Sequence, residues 1–173
     1  MQVIHCNYQE HAQAMLDIIN EAILNSTAVY DYVPRTMASM QNWFDAKEKG
    51  DFPVIGVKNE VGQLMGFASY GTFRAWPAYK YTVEHSIYIH LAYRRQGLAR
   101  LLMQELILLA GAQQRHVMIG CIDMQNMASI ALHKKLGFQQ CGTLKQVGFK
   151  FGKWLDVSLY QLTLDVPAFP VDG

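Results

Sequence analysis

Hydrophobic period changes abruptly at Gly97. Before it, Tyr79–His90 reads as a strand, broadly alternating and rich in Tyr, Val and Ile. After it, Leu98, Leu101, Leu102, Leu106, Leu109 and Ala110 fall on one face of a helix that ends near Gly111. Val117–Ile122 then forms a short continuous apolar run, the pattern of a strand covered on both faces. A strand, helix, strand unit of this kind belongs in a layered α/β sheet.

The flanks extend the same architecture. Val3–Cys6 predicts a first strand, and Met15, Ile18, Ile19, Ala22 and Ile23 recur at helical spacing behind it. A second helix follows Pro34, carrying Met37, Met40, Trp43, Phe44 and Lys47, with Thr36 as its N-cap. Phe52–Lys58 and Gln63–Thr72 read as a hairpin joined through Asn59–Gly62. Ala128–Leu136 predicts another helix stopped by Gly137, and the final strands are expected within Phe149–Leu164. The order is β-α-α-β-β-β-α-β-α-β-β, a mixed α/β sheet.

No repeat or Pro/Gly-rich linker divides the 173 residues, so residues 1–173 are expected to form a single domain, with 166–173 as a loose tail. Half of the chain is apolar, enough for a sizeable core. Fifteen Lys and Arg against fourteen Asp and Glu leave a net charge of +1, without the excess that nucleic-acid or anionic-membrane partners require. Any anion site must be local. Neither a secretory signal nor a membrane span is evident, and the protein reads as cytoplasmic. Cys6, Cys121 and Cys141 lack metal-ligand or disulfide spacing; they read as reduced thiols in strands, and no metal is expected.

Chemistry concentrates where the period changes. Ile87–Arg100 carries a β run into a cationic, glycine-containing turn and then a helix start. Free N–H groups, a partial positive charge and a glycine open to close approach suit a pyrophosphate, and Arg94, Arg95 and Arg100 add point charges. A solvated basic turn is the competing explanation.

Arg94-Arg-Gln-Gly-Leu-Ala99 matches the acyl-CoA signature [Q/R]-x-x-G-x-[G/A] of the GCN5-related N-acetyltransferases, or GNAT family. Asn126–Phe138 resembles that family's N-x-x-[AS]-x-x-[LF]-[YH]-x-x-x-G-F segment. Thr82–His90, Leu132–Phe138 and Gly148–Asp156 resemble the phosphinothricin and methionine sulfoximine acetyltransferase branch, with similarity over residues 4 to 160. The resemblance implies a GNAT fold: a mixed central sheet with a splayed central strand flanked by helices. It also implies acetyl-CoA as cosubstrate, a small amino-acid-like amine as acceptor, and a homodimer.

Site residues follow from that likeness. The backbone of Ile87, Tyr88 and Ile89 is expected to meet the thioester and pantetheine, and Arg94, Arg95, Gln96, Gly97, Leu98, Ala99 and Arg100 the pyrophosphate. Asn126 and Ser129 stand at the helix start that faces pantetheine, where Asn126 also suits an N-cap. An α-amine is mostly ammonium at neutral pH, so a base must take a proton; Glu84 is the candidate, with a substrate-orienting role as the alternative. His133 is the candidate donor to the departing thiolate, against a role in packing or capping. Arg74 offers a bidentate partner for an α-carboxylate, while Tyr30, Tyr32, Ala75, Trp76 and the backbone around Glu84, His85 and Ser86 would help enclose a short side chain. The competing functions are acetylation of another amine (polyamine, aminoglycoside or protein N-terminus) and acyl-CoA sensing without catalysis.

Overall fold

The computed structural model describes residues 1–172. Its elements run β1 (Gln2–His5), α1 (Tyr8–Asn25), α2 (Met37–Lys49), β2 (Val54–Lys58), β3 (Leu64–Thr72), β4 (Thr82–Ile89), α3 (Leu98–Ala112), β5 (Val117–Asp123), α4 (Met127–Lys135), β6 (Gln139–Lys150) and β7 (Lys153–Thr163). The element order is the one expected from the sequence. The seven strands form one mixed sheet in the order β1-β2-β3-β4-β5-β7-β6.

Two compact units divide the chain, one comprising residues 1–70 and 86–106, the other 71–85 and 107 onward. Both β4 and α3 therefore run through the division.

In the first unit, β2 pairs antiparallel with β1 and β3. α1 starts where Asn7 Oδ1 accepts from the Glu10 N–H at 2.8 Å. Its stripe of Met15, Ile18, Ile19 and Ile23 is buried together with Met40, Phe44, Val54 and Phe67. Full burial of each such side chain contributes about 1.5–3 kcal/mol. α2 is capped by Thr36, whose hydroxyl accepts from Ser39 N–H while Ser39 Oγ accepts from Thr36 N–H. Serine here takes the part that Glu or Gln usually plays in a capping box. Asn20 fastens the α1–α2 loop, donating to Arg35 O at 3.0 Å and accepting from Arg35 N at 2.7 Å. The far end of β4 is held by its own aromatic ring: Tyr88 lies 5.3 Å from Phe67.

In the second unit, β5 lies parallel to the start of β4, with Thr82 opposite Val117 and Glu84 opposite Ile119. β7 pairs antiparallel with both β5 and β6. Gly137, at φ +88°, follows α4 as expected. The strand β6 corrects the sequence reading, beginning at Gln139 rather than near Phe149. It is an edge strand, largely exposed, with two register shifts and Gln146 at φ +53°, so it lacks alternation. Of the segment expected as a loose tail, residue 173 lies outside the described residues; within 166–172, Val171 N–H donates to Tyr81 Oη at 3.1 Å, and Val166 O lies 2.9 Å from His116 Nδ1.

Candidate active site

The turn between β4 and α3 is built from two left-handed residues, Arg95 at φ +65° and Gly97 at φ +80°. A Cβ at Gly97 would meet no protein atom within 4 Å, so the glycine answers to backbone conformation and leaves its outer side open. Leu98 is buried and anchors the first residue of α3, which turns the helix's unpaired N–H groups toward this turn. Arg95, Gln96 and Arg100 are exposed, with Ala99 half-buried beside them. Arg94 is committed elsewhere. Its guanidinium pairs with the Glu21 carboxylate, and its Nε donates to Ile89 O at 3.2 Å. It braces the turn, leaving Arg95 and Arg100 as the cations without an ion pair among the described residues. This arrangement fits a pyrophosphate held largely by main-chain donors.

Along β4, Val83 and His85 are buried while Glu84, Ser86, Ile87, Tyr88 and Ile89 are half-buried. Parallel register sets Glu84 beside Ile119, so the two side chains share a face of the sheet, and alternation returns Cys121 to it. Cys121 is exposed. Loss of water around the sulfur, and then the nearby Glu84 carboxylate, push the thiol up to about 12. Arg74 is close enough to oppose that rise. The Arg74 guanidinium is exposed, stacks 5.3 Å from the Phe73 ring and has no ion pair among the described residues. Ala75 and Trp76 follow it on the same exposed loop. Within this unit, then, a half-buried carboxylate, a thiol and a cation without an ion pair among the described residues all act on one another's surroundings.

His85 and His133 occupy the opposite face. Their rings stack at 4.9 Å, and the two Nε2 atoms are 2.9 Å apart. Gly120 makes this approach possible, because a Cβ there would come within 2.9 Å of His85 Nε2 and 3.0 Å of His133 Nε2. The tautomers follow from the partners. His133 Nδ1 lies 2.7 Å from Ser129 O, which can only accept, so Nδ1 carries the proton. His133 Nε2 then accepts from His85 Nε2–H, and His85 Nδ1 is left as a bare buried acceptor. Burial first, and His133 second, hold the His85 pKa down to about 3; burial also lowers that of His133.

His133, the candidate thiolate donor, is 1% exposed and the His85 side chain 9%; the part expected of His85 at the pocket was its backbone. They build the layer behind the strand. Asn126 caps α4, its Oδ1 accepting from Ser129 N–H at 3.1 Å, and its side-chain amide makes no hydrogen bond among the described residues. Capping and a ligand contact are therefore compatible. Tyr30, in the first unit, is exposed on the α1–α2 loop. Cys121 is the residue the sequence did not single out: nothing local in Val117–Ile122 shows that register will set it beside Glu84.

Comparison with known proteins agrees with this geometry. Residues 16–138 match the Acetyltransferase (GNAT) family. The chain is 43% identical over 151 residues to an L-methionine sulfoximine/L-methionine sulfone acetyltransferase of Pseudomonas paraeruginosa, covering 87% of this chain and 88% of that protein. A solved structure from Acinetobacter baylyi ADP1 superposes with a TM-score of 0.98 at 58% identity, covering 99% of this chain and 96% of that one. A GNAT superfamily phosphinothricin acetyltransferase from Sinorhizobium meliloti, solved in complex with acetyl-CoA, gives a TM-score of 0.92 at 31% identity over 98% of this chain and 91% of its own. With a glycine turn at a helix start, a half-buried carboxylate on the preceding strand and a family match spanning both, the chain is an N-acetyltransferase and belongs to the acetyltransferase (GNAT) family.

Proposed function

We propose that the enzyme transfers acetyl from acetyl-CoA to the α-amine of small amino acids of the methionine sulfoximine, methionine sulfone and phosphinothricin type. The observation that carries this reading is a half-buried Glu84 on β4 and, in the same unit, an exposed Arg74 on the loop before it: a proton acceptor for an ammonium and a guanidinium for the neighbouring carboxylate. The relative of 43% identity acts on substrates of this class by its name, which supports the assignment. Residues 1–173 are taken as a single catalytic domain, a reading supported by the family match over residues 16–138.

Acetyl-CoA supplies an activated thioester. Arg95, Gln96, Gly97, Leu98, Ala99 and Arg100 hold its pyrophosphate, with Arg94 bracing the turn. The backbone of Ile87–Ile89, with Asn126 and Ser129, meets pantetheine. Arg74 orients the acceptor by its carboxylate, and Glu84 takes one ammonium proton directly or through water. The freed lone pair forms the C–N bond as the C–S bond breaks. The nitrogen sheds its second proton as the amide forms, and water carries that proton to the departing thiolate.

Three free cysteines suit a reducing, cytoplasmic setting. Homodimer formation is proposed through the β6–β7 hairpin, where Val147, Phe149, Phe151 and Trp154 expose apolar surface.

The test is release of coenzyme A with L-methionine sulfoximine, L-methionine sulfone, phosphinothricin, a polyamine and an aminoglycoside. The amino acids should be turned over with the higher kcat/KM, and Glu84→Gln should lower kcat at least a hundredfold while acetyl-CoA still binds. Preference for a polyamine or aminoglycoside would overturn the substrate class, and wild-type turnover by Glu84→Gln would remove the base.

A further inference from the structure

Away from the acetyl-transfer residues, the first compact unit holds a cleft of about 340 Å³, bounded by the first turns of α1, the β2–β3 hairpin and the turn that leaves β4. Its size lies in the range of small-molecule sites. Glu10, His11 and Asp17 line it from α1, Lys58 from β2, and His90 and Tyr93 from the turn after β4. The hairpin side is fixed in place: Tyr93 Oη donates to Gln63 Oε1 at 2.8 Å, and Asn59 Nδ2 donates to the same oxygen at 3.0 Å.

His11 is the residue that asks for a ligand. It is 3% exposed, and Asn7 N–H donates to its Nδ1 at 3.1 Å. Burial, and then the charge of Lys58, hold its pKa below the ordinary imidazole value, so at neutral pH the ring keeps one proton, on Nε2. That N–H is buried without a hydrogen-bond partner among the described residues, and Glu10 Oε2, at 3.8 Å, lies beyond reach. A buried donor is costly until something accepts from it. The charges beside it are also unpaired. Lys58 stands opposite Leu64 in strand register, and Leu64 packs with α1 in the core, so the Lys58 side chain rises on that same face. Its ammonium makes no ion pair with Glu10 or Asp17 among the described residues. Asp17 accepts from Gln13 Nε2 at 2.9 Å through Oδ1, which leaves Oδ2 available. His90 Nδ1 accepts from Ala92 N–H at 3.2 Å, which places a proton on its Nε2.

Two carboxylates against one ammonium disfavour a phosphate or another simple anion, whereas a simple amine would leave Lys58 and the His11 donor unanswered. A ligand with both charges on one carbon answers all of them. We propose that this cleft binds a free α-amino acid as its zwitterion, using none of the acceptor's residues: the carboxylate meets the Lys58 ammonium and the N–H groups of His11 and His90, and the ammonium meets Asp17 and Glu10.

The test is a titration of the full chain with its six histidines labelled with nitrogen-15, read at the ring nitrogens, with His11→Gln identifying the His11 signals. The probes are L-alanine, L-serine and L-methionine, beside acetate, methylamine and inorganic phosphate, which each carry one charge type. At least one amino acid should move the His11 signals along a saturating curve with a Kd of roughly millimolar order, and the single-charge probes should bind at least tenfold more weakly. Lys58→Gln and Asp17→Asn should each weaken binding at least tenfold; melting temperatures equal to wild type assign that loss to the cleft, and either variant decides should the other be unstable. Arg74→Gln should titrate at His11 as wild type does. No movement of His11 with any of the three amino acids up to about 50 mM overturns the site. So does equal binding of acetate or phosphate, wild-type affinity in both cleft variants, or loss of the His11 response in Arg74→Gln. A chain that acetylates methionine sulfoximine normally while His11 stays still loses this site alone.

Discussion

Acid should unfold this protein through the buried histidine pair. His85 stands at about 3 in the folded chain against 6.5 for an unperturbed imidazole, because burial and the neighbouring His133 oppose its charge. Between those values the unfolded chain binds a proton that the folded chain refuses. Stability from this group is therefore complete above pH 6.5, declines as pH falls through the window and is gone by about 3. One proton of difference corresponds to about 1.4 kcal/mol per pH unit, and the unfolded imidazole is half protonated at 6.5, so acidification from 6.5 to 4.5 should remove about 2 kcal/mol through His85. That is a substantial part of the roughly 5–15 kcal/mol by which domains are stable. His133, also lowered by burial, shifts the balance in the same direction. The assay is urea denaturation at pH 7.5, 6.5, 5.5 and 4.5 for wild type and His85→Gln. Glutamine cannot titrate, so the variant should start less stable and lose less per pH unit. His11, lowered by its own burial, contributes the same sign in both proteins and cancels in the difference. Asp156, lowered by the Gln146 N–H and then Lys145, acts below its ordinary 3.8 and so below the lowest pH assayed. Parallel loss of stability in the two proteins would refute the neutral buried pair as the group that acid attacks.

Three further outcomes follow from single positions. Gly97→Val places a β-branched residue at φ +80° and a side chain on the open outer side of the turn, so calorimetry should show acetyl-CoA affinity down at least tenfold; unchanged affinity would remove the turn from the cofactor site. Arg74→Gln should reduce the preference for methionine sulfoximine over its decarboxylated analogue by roughly tenfold to a hundredfold, the worth of about 1.5–3 kcal/mol for a charged hydrogen-bonded pair; an unchanged ratio of kcat/KM values would release Arg74 from the carboxylate. Gly120→Ala forces a methyl against both Nε2 atoms of the histidine pair, and thermal unfolding should register a loss of about 1–3 kcal/mol; a variant of wild-type stability would mean the pair is not tightly packed.

Element order and type were legible in the chain because they depend on residues a few positions apart. The change of period at Gly97, the Thr36 cap and the stop at Gly137 each act within one turn of backbone, and all three stand where the sequence placed them. The turn proposed for the cofactor is local for the same reason: its glycine, its cations and the helix start are contiguous. What the sequence could not decide is which distant groups meet. β6 is held by pairing with β7 rather than by alternation of its own, so its start at Gln139 was hidden. Arg94 reads as a phosphate ligand until the fold brings Glu21, 73 residues away, to its guanidinium. His133 reads as a ligand-facing donor until Gly120 admits it to a buried bond with His85, 48 residues away. Cys121 reads as one more apolar strand residue until the Glu84–Ile119 register returns it to the face of the base. Local backbone preference writes the elements into the sequence, whereas register and burial select among faces by free-energy differences that exist only once the strands and helices have packed.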